Sequence, residues 1–153
     1  EYNNWGNDKV VFLFNANKGG ALNEIAKVAS GGELARLMLS IKSLISEKKL
    51  LPTIIFDEID QGVSGEIADK VGNIMKKMSE TMQVITITHL PQIASKGNAH
   101  LMVYKEINQN TTFTRIKNLN QEERVEEIAK MLSGNELSKA AVENAKVLLK
   151  NKN

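Results

Sequence analysis

The sequence predicts an α/β fold, a mainly parallel sheet flanked by helices, and three observations carry that reading. Two short apolar runs rich in β-branched residues, Thr53-Ile54-Ile55-Phe56 and Val84-Ile85-Thr86-Ile87-Thr88, have the length and composition of strands covered on both sides. Between them Ile67, Val71, Ile74, Met75 and Met78 recur at helical spacing, so strand, helix and strand form a right-handed parallel crossover. Further on, Leu101-Met102-Val103-Tyr104 and Thr112-Phe113-Thr114-Arg115-Ile116 flank Asn108-Gln109-Asn110, which predicts an antiparallel hairpin at the edge of the sheet.

The remaining elements follow from the same periodicities. Val10 to Phe14 reads as a first strand, and the polar stretch Asn15 to Asn23 as a loop leading away from it. From Leu34, the residues Leu37, Met38, Ile41, Leu44 and Ile45 mark a helix with one buried face, which turns polar at Ser46-Glu47-Lys48-Lys49 before Pro52. At the C-terminal end Val125, Ile128, Ala129 and Leu132 line one helix, Ser133-Gly134-Asn135 breaks it, and Leu137, Ala141, Ala145 and Leu148 line the next.

Bulk properties narrow the function classes. A chain of 153 residues with 42% hydrophobic residues is sized for one domain with a core. It has no cysteine, which excludes disulfides and thiolate metal sites and favours a reducing compartment, the cytoplasm. No apolar run reaches the ~18 residues needed to cross a bilayer, and the first residues do not read as a secretory signal. A formal charge of +2 does not by itself imply nucleic acid, and Lys139, Lys146, Lys150 and Lys152 make only a weak basic patch.

Three short segments can carry chemistry. Asp57 and Glu58 end an apolar strand, the edge where open parallel sheets place their ligands. Adjacent acids there point in different directions, so one can hold Mg²⁺ while the other orients an attacking water; equally, both can serve as negative charge for the next helix. Ser30 and Glu33 have the spacing of a capping box, but such a box does not ask for Gly31 and Gly32 between its ends. Glycines at a helix start let a phosphate approach the free N–H groups and the positive helix pole. His89 follows the other apolar strand and falls at the same sheet edge, where an imidazole can hydrogen-bond a terminal phosphate or a water. His100 falls within the hairpin and receives no role, and two isolated histidines do not make a zinc site. The loop Gly-x-x-x-x-Gly-Lys-Ser/Thr, which cradles nucleotide phosphates, is absent from these residues, and Lys18-Gly19-Gly20 does not fit it.

Read in order, the segments Lys27 to Arg36, Thr53 to Gly65, Ile87 to Ala94 and Arg124 to Leu132 resemble the RecN family of bacterial DNA repair proteins, from about Phe12 to Leu149. The resemblance implies the C-terminal lobe of an ABC/SMC-type P-loop ATPase head that uses ATP and Mg²⁺. Ser30, Gly31, Gly32 and Glu33 would form the signature motif, which acts on the nucleotide of a second copy in a head-to-head homodimer. Asp57 would support Mg²⁺, Glu58 would be the general base, Asp60 would begin the D-loop at the ATP interface, and His89 would be the switch histidine. The family's phosphate loop and Q-loop lie in the N-terminal half of the head, upstream of a long coiled coil. Residues 1–153 are therefore expected to be a fragment, inactive alone, that completes an ATPase handling DNA breaks, cytoplasmic and associated with the nucleoid. Ala35 stands where the family pattern has Ser and Gln61 where it has a small Thr, while Glu1 to Asp8 match no part of it. SMC-type chromosome-organising ATPases and transporter subunits use the same motifs, and a non-catalytic, ATP-dependent dimerisation scaffold would retain the sheet without turnover. Gly62-Val63-Ser64-Gly65 and Leu90-Pro91-Gln92 favour the repair family.

Overall fold

The computed structural model describes residues 6–15, 19–25, 31–46, 52–108, 111–134 and 137–150. Ser30, expected at the head of the first helix, lies outside them, and so does any capping box that includes it.

The first strand is shorter than its apolar run. Only Leu13–Phe14 (β1) pairs, antiparallel, with Asn23–Glu24 (β2), whose first residue the sequence assigns to a loop. Val10 and Phe12 stand open to solvent, so hydrophobicity alone does not make them strand. Helix α1 spans Gly31–Ser46. Its buried face is not the expected one: Leu39 is 1% exposed and Ala35 packs beside the core, whereas Leu34, Met38, Ile41, Leu44 and Ile45 are exposed. The helix has two neighbouring apolar stripes, and the described residues cover only the one through positions 35 and 39.

Strand β3 (Thr53–Asp57), helix α2 (Gly65–Met78) and strand β4 (Gln83–Ile87) form the expected crossover, with β3 and β4 parallel and in register from Thr53 beside Gln83 to Asp57 beside Ile87. Among the described residues the strands are covered on one side, not two. Ile54 and Phe56 enter the core with Ile59, Val71, Met75, Met78, Met82 and Ile93, while Ile55 is 64% exposed and Ile87 54%. The period of two follows from the pleat, which turns alternate side chains to opposite faces.

A short helix α3 (Pro91–Ala94) leads to the hairpin of β5 (Leu101–Asn108) and β6 (Thr111–Asn118), antiparallel with Asn108 beside Thr111. The pairing brackets residues 109–110, where the sequence places the turn and which lie outside the described residues. The hairpin, however, is a sheet of its own and does not hydrogen-bond to β3 or β4, so the described strands form three two-stranded sheets, one of them parallel.

Helix α4 (Gln121–Ser133) begins on a capping box in which the Asn120 side chain accepts from the Glu123 N–H and Glu123 accepts from the Asn120 N–H. It ends, as expected, at Gly134, whose φ of 75° only glycine adopts freely. Helix α5 (Lys139–Lys150) packs on it through Ile128, Ala129, Ala141, Ala145 and Leu149; Leu132 and Leu137 stay outside this second core, and Leu148 is only partly buried beside it. The Arg124 guanidinium, buried on α4, donates to the carbonyls of Gly97 (2.7 Å) and Asn98 (3.2 Å), tying the helix to the segment that enters the hairpin.

His100 precedes β5 and extends the ladder, its carbonyl accepting from the Leu119 N–H at 2.9 Å. Burial holds its imidazole pKa below the ordinary value and the Arg124 charge adds to this, with Glu127 pulling the other way. The unfolded chain then binds the proton more readily, so stability from this group is present above about pH 6.5 and is lost as pH falls through the lower folded pKa. We expect the urea midpoint of the protein to fall between neutral and mildly acidic pH, and His100→Gln to flatten that slope. An unchanged slope in the variant would assign the effect elsewhere.

Candidate functional site

Asp57 is the last residue of β3 and its side chain is exposed at the C-terminal edge of the parallel pair. Glu58 follows at φ 48°, the one non-glycine residue with positive φ among those described. Such a backbone costs about 1–3 kcal/mol and persists only when its surroundings enforce it. Here they do: the Glu58 N–H donates to the Ile87 carbonyl (3.2 Å), and the Gln61 N–H donates to the Glu58 carbonyl (3.3 Å), closing a tight turn. The left-handed residue turns the chain off the strand immediately after Asp57.

The turn also fixes the Glu58 side chain. Its Oε2 accepts from Gln61 Nε2 at 2.7 Å, and the residue remains exposed. Gln61, where the family pattern has a smaller residue, thus holds the Glu58 carboxylate. The sequence marked it only as a departure, because a loop glutamine has no pattern that names its partner.

The glycine pair meets this turn. Gly31 and Gly32 line one open groove with Asp57, Glu58, Gln61 and Lys42, and neither glycine is sealed in the core. A Cβ on Gly32 would stand 2.9 Å from the Gln61 carbonyl oxygen, so this backbone approach admits no side chain. Capping alone leaves that glycine unexplained; close approach of the turn at Gln61 explains it. Glu33, one residue on, lines a different shallow groove with Phe14, Asn15, Arg36 and Ser40, and is not brought to the acids.

His89 is exposed, two residues beyond the end of β4, at the sheet edge that also carries Asp57 and Glu58. Asp60 is placed unexpectedly. It is 1% exposed, with its Oδ2 accepting from the Thr88 hydroxyl, so its carboxylate faces the protein interior.

The acids suit a divalent cation only in part. Among the described residues no group of three His, Asp or Glu stands together as a metal cage. One exposed carboxylate at a strand edge nevertheless fits Mg²⁺, which keeps several waters and takes one or two carboxylates along with phosphate oxygens. Asp57 is the residue that would hold it.

No family model matches the chain. Over 94% of its length it is 49% identical to the DNA repair protein RecN of Rickettsia conorii, and over 95% it is 46% identical to that of Bacillus subtilis. RecN of Vibrio cholerae is 44% identical over 94% of the chain. The chain spans about a quarter of the length of these curated relatives. Among solved structures it is similar to the Smc head domain with a coiled coil and joint from Pyrococcus yayanosii, with a TM-score of 0.60 and 23% identity over 75% of this chain and 21% of that one. It is also similar to a chain from work on ATP-driven dimerization and DNA-stimulated activation of SMC ATPases, with a TM-score of 0.55 and 20% identity over 77% of this chain and 70% of that one. Almost the whole length of the chain thus aligns with about a quarter of each RecN, and its fold is similar to that of the Smc head domain.

Proposed function

We propose that the chain is the C-terminal half of the ATPase head of a RecN-like DNA repair protein, hydrolysing ATP once it is joined to the half that carries the phosphate loop. One observation carries this reading: Asp57 and the Glu58 turn stand exposed at the C-terminal edge of the parallel β3–β4 pair, where His89 also lies. Asp57 would hold Mg²⁺, which when bound neutralises developing phosphate charge. Glu58 would take the proton of the attacking water, and His89 would hydrogen-bond the terminal phosphate. The N–H groups at the start of α1, with Ser30, would face the nucleotide of a second copy, so that two heads close on two ATP molecules.

The exposed apolar side chains support a missing half. Ile55, Ile85 and Ile87 on the open side of the sheet, with Met38 and Ile41 on α1, form the kind of surface that a soluble protein covers. The phosphate-loop half of the head is the natural cover. No helix among the described residues is long and apolar enough to cross a membrane. DNA is the partner we assign, since the relatives are DNA repair proteins, and the cytoplasm with the nucleoid is the corresponding place.

The test is ATP turnover. The chain alone should release no phosphate from Mg-ATP, and the full-length protein should do so. Appreciable turnover by the isolated chain would overturn the reading, and so would a full-length protein that binds ATP and pairs its heads but never releases phosphate.

A further inference from the structure

We infer that Asp60 and Thr88 form a buried latch that fixes the His89 loop to the Glu58 turn, which makes them positioning residues for turnover. The inference rests on the functional reading above. Asp60, two residues after Glu58, is 1% exposed and accepts from the Thr88 hydroxyl. The Thr88 oxygen in turn accepts from the Leu90 N–H at 3.0 Å, closing a short turn whose middle residue is His89. Beside it, the Glu58 N–H holds the Ile87 carbonyl at 3.2 Å. One backbone bond and one side-chain chain thus join the two turns, while the imidazole and the Glu58 carboxylate remain at the surface.

The arrangement is expensive if stability is its purpose. The other Asp60 oxygen, Oδ1, is buried without a hydrogen-bond partner among the described residues, and a half-satisfied buried carboxylate costs stability that an apolar pair of similar shape would not. What the polar pair provides, and an apolar one does not, is a directional bond to the residue before His89. Asp60 thus acts through the interior, on the loop that aims the histidine.

The experiment uses the full-length protein and ATP turnover. Thr88→Val removes the hydroxyl at nearly constant volume and should lower kcat about tenfold with little change in KM, a loss of the size that misplaced catalytic groups produce. Thr88→Ser, which keeps the hydroxyl, should restore most of it. In a His89→Ala background Thr88→Val should cost nothing further, because groups acting as one unit are not additive. Asp60→Ala should repeat this pattern and guards against a poorly folded Thr88 variant. Equal losses with and without His89, failure of Ser to rescue, or a rise in KM at constant kcat would overturn the latch. A wild-type protein without turnover, or a His89→Ala variant as active as wild type, would instead sink the site assignment.

Discussion

Replacing Glu58 with Gln in the full-length protein should lower ATP turnover by about 10²–10⁴-fold, the usual contribution of a positioned general base, while leaving ATP binding intact. The expectation comes from the turn and not from the motif alone. The backbone at position 58 is held left-handed by the Ile87 carbonyl and the Gln61 N–H, and neither bond involves the carboxylate. Gln can therefore occupy the same place, with an oxygen still available to Gln61 Nε2, and what it lacks is the ability to take a proton. Because the loss falls on the transition state, kcat should drop while the equilibrium affinity for Mg-ATP stays within a few-fold. Steady-state phosphate release together with nucleotide-binding titration separates the two quantities. Turnover at the wild-type rate would remove Glu58 from its role.

Gly32→Val should have the second large effect, a loss of turnover of about a hundredfold, on the scale expected when a structural shift of about 1 Å misplaces reacting groups. A Cβ at this position already stands 2.9 Å from the Gln61 carbonyl, so a branched side chain must push the turn that orients Glu58, and it also fills the space above the free N–H groups of α1. If those N–H groups serve a second copy, the defect complements. Mixing Gly32→Val subunits with subunits whose phosphate loop is disabled should recover part of the activity that each lacks alone. No recovery in the mixture would argue that the glycine pair serves its own subunit's site.

The crossover and its acidic edge were legible because both are local. Thr53 to Phe56 and Val84 to Thr88 are short β-branched runs, and the acids that follow Phe56 have nowhere to go but the strand end. Burial was less legible, because it depends on what lies opposite. The stripe of α1 through Met38 and Ile41 is as apolar as the one through Ala35 and Leu39, and periodicity cannot say which of two apolar stripes meets the core of residues present. Ile55 was misread for the same reason: a continuous apolar strand expects two covers, and the described residues supply one. The interior role of Asp60 escaped entirely. An acid followed by glutamine and glycine reads as surface, and only the fold brings the Thr88 hydroxyl, 28 positions on, to its carboxylate. Thr88, adjacent to a candidate histidine at a strand end, was the available clue.

The central claim is that Asp57, Glu58 and His89 serve one Mg-nucleotide, while the glycine pair serves that of a second copy. The most direct measurement is a structure of full-length Glu58→Gln protein with Mg-ATP. The account predicts Asp57 in the magnesium shell directly or through water, residue 58 and His89 at the terminal phosphate of the same nucleotide, and the start of α1 against the other. ATP bound away from the β3–β4 edge, or a single nucleotide gripped by Gly31-Gly32 and Asp57 of one copy, would contradict it.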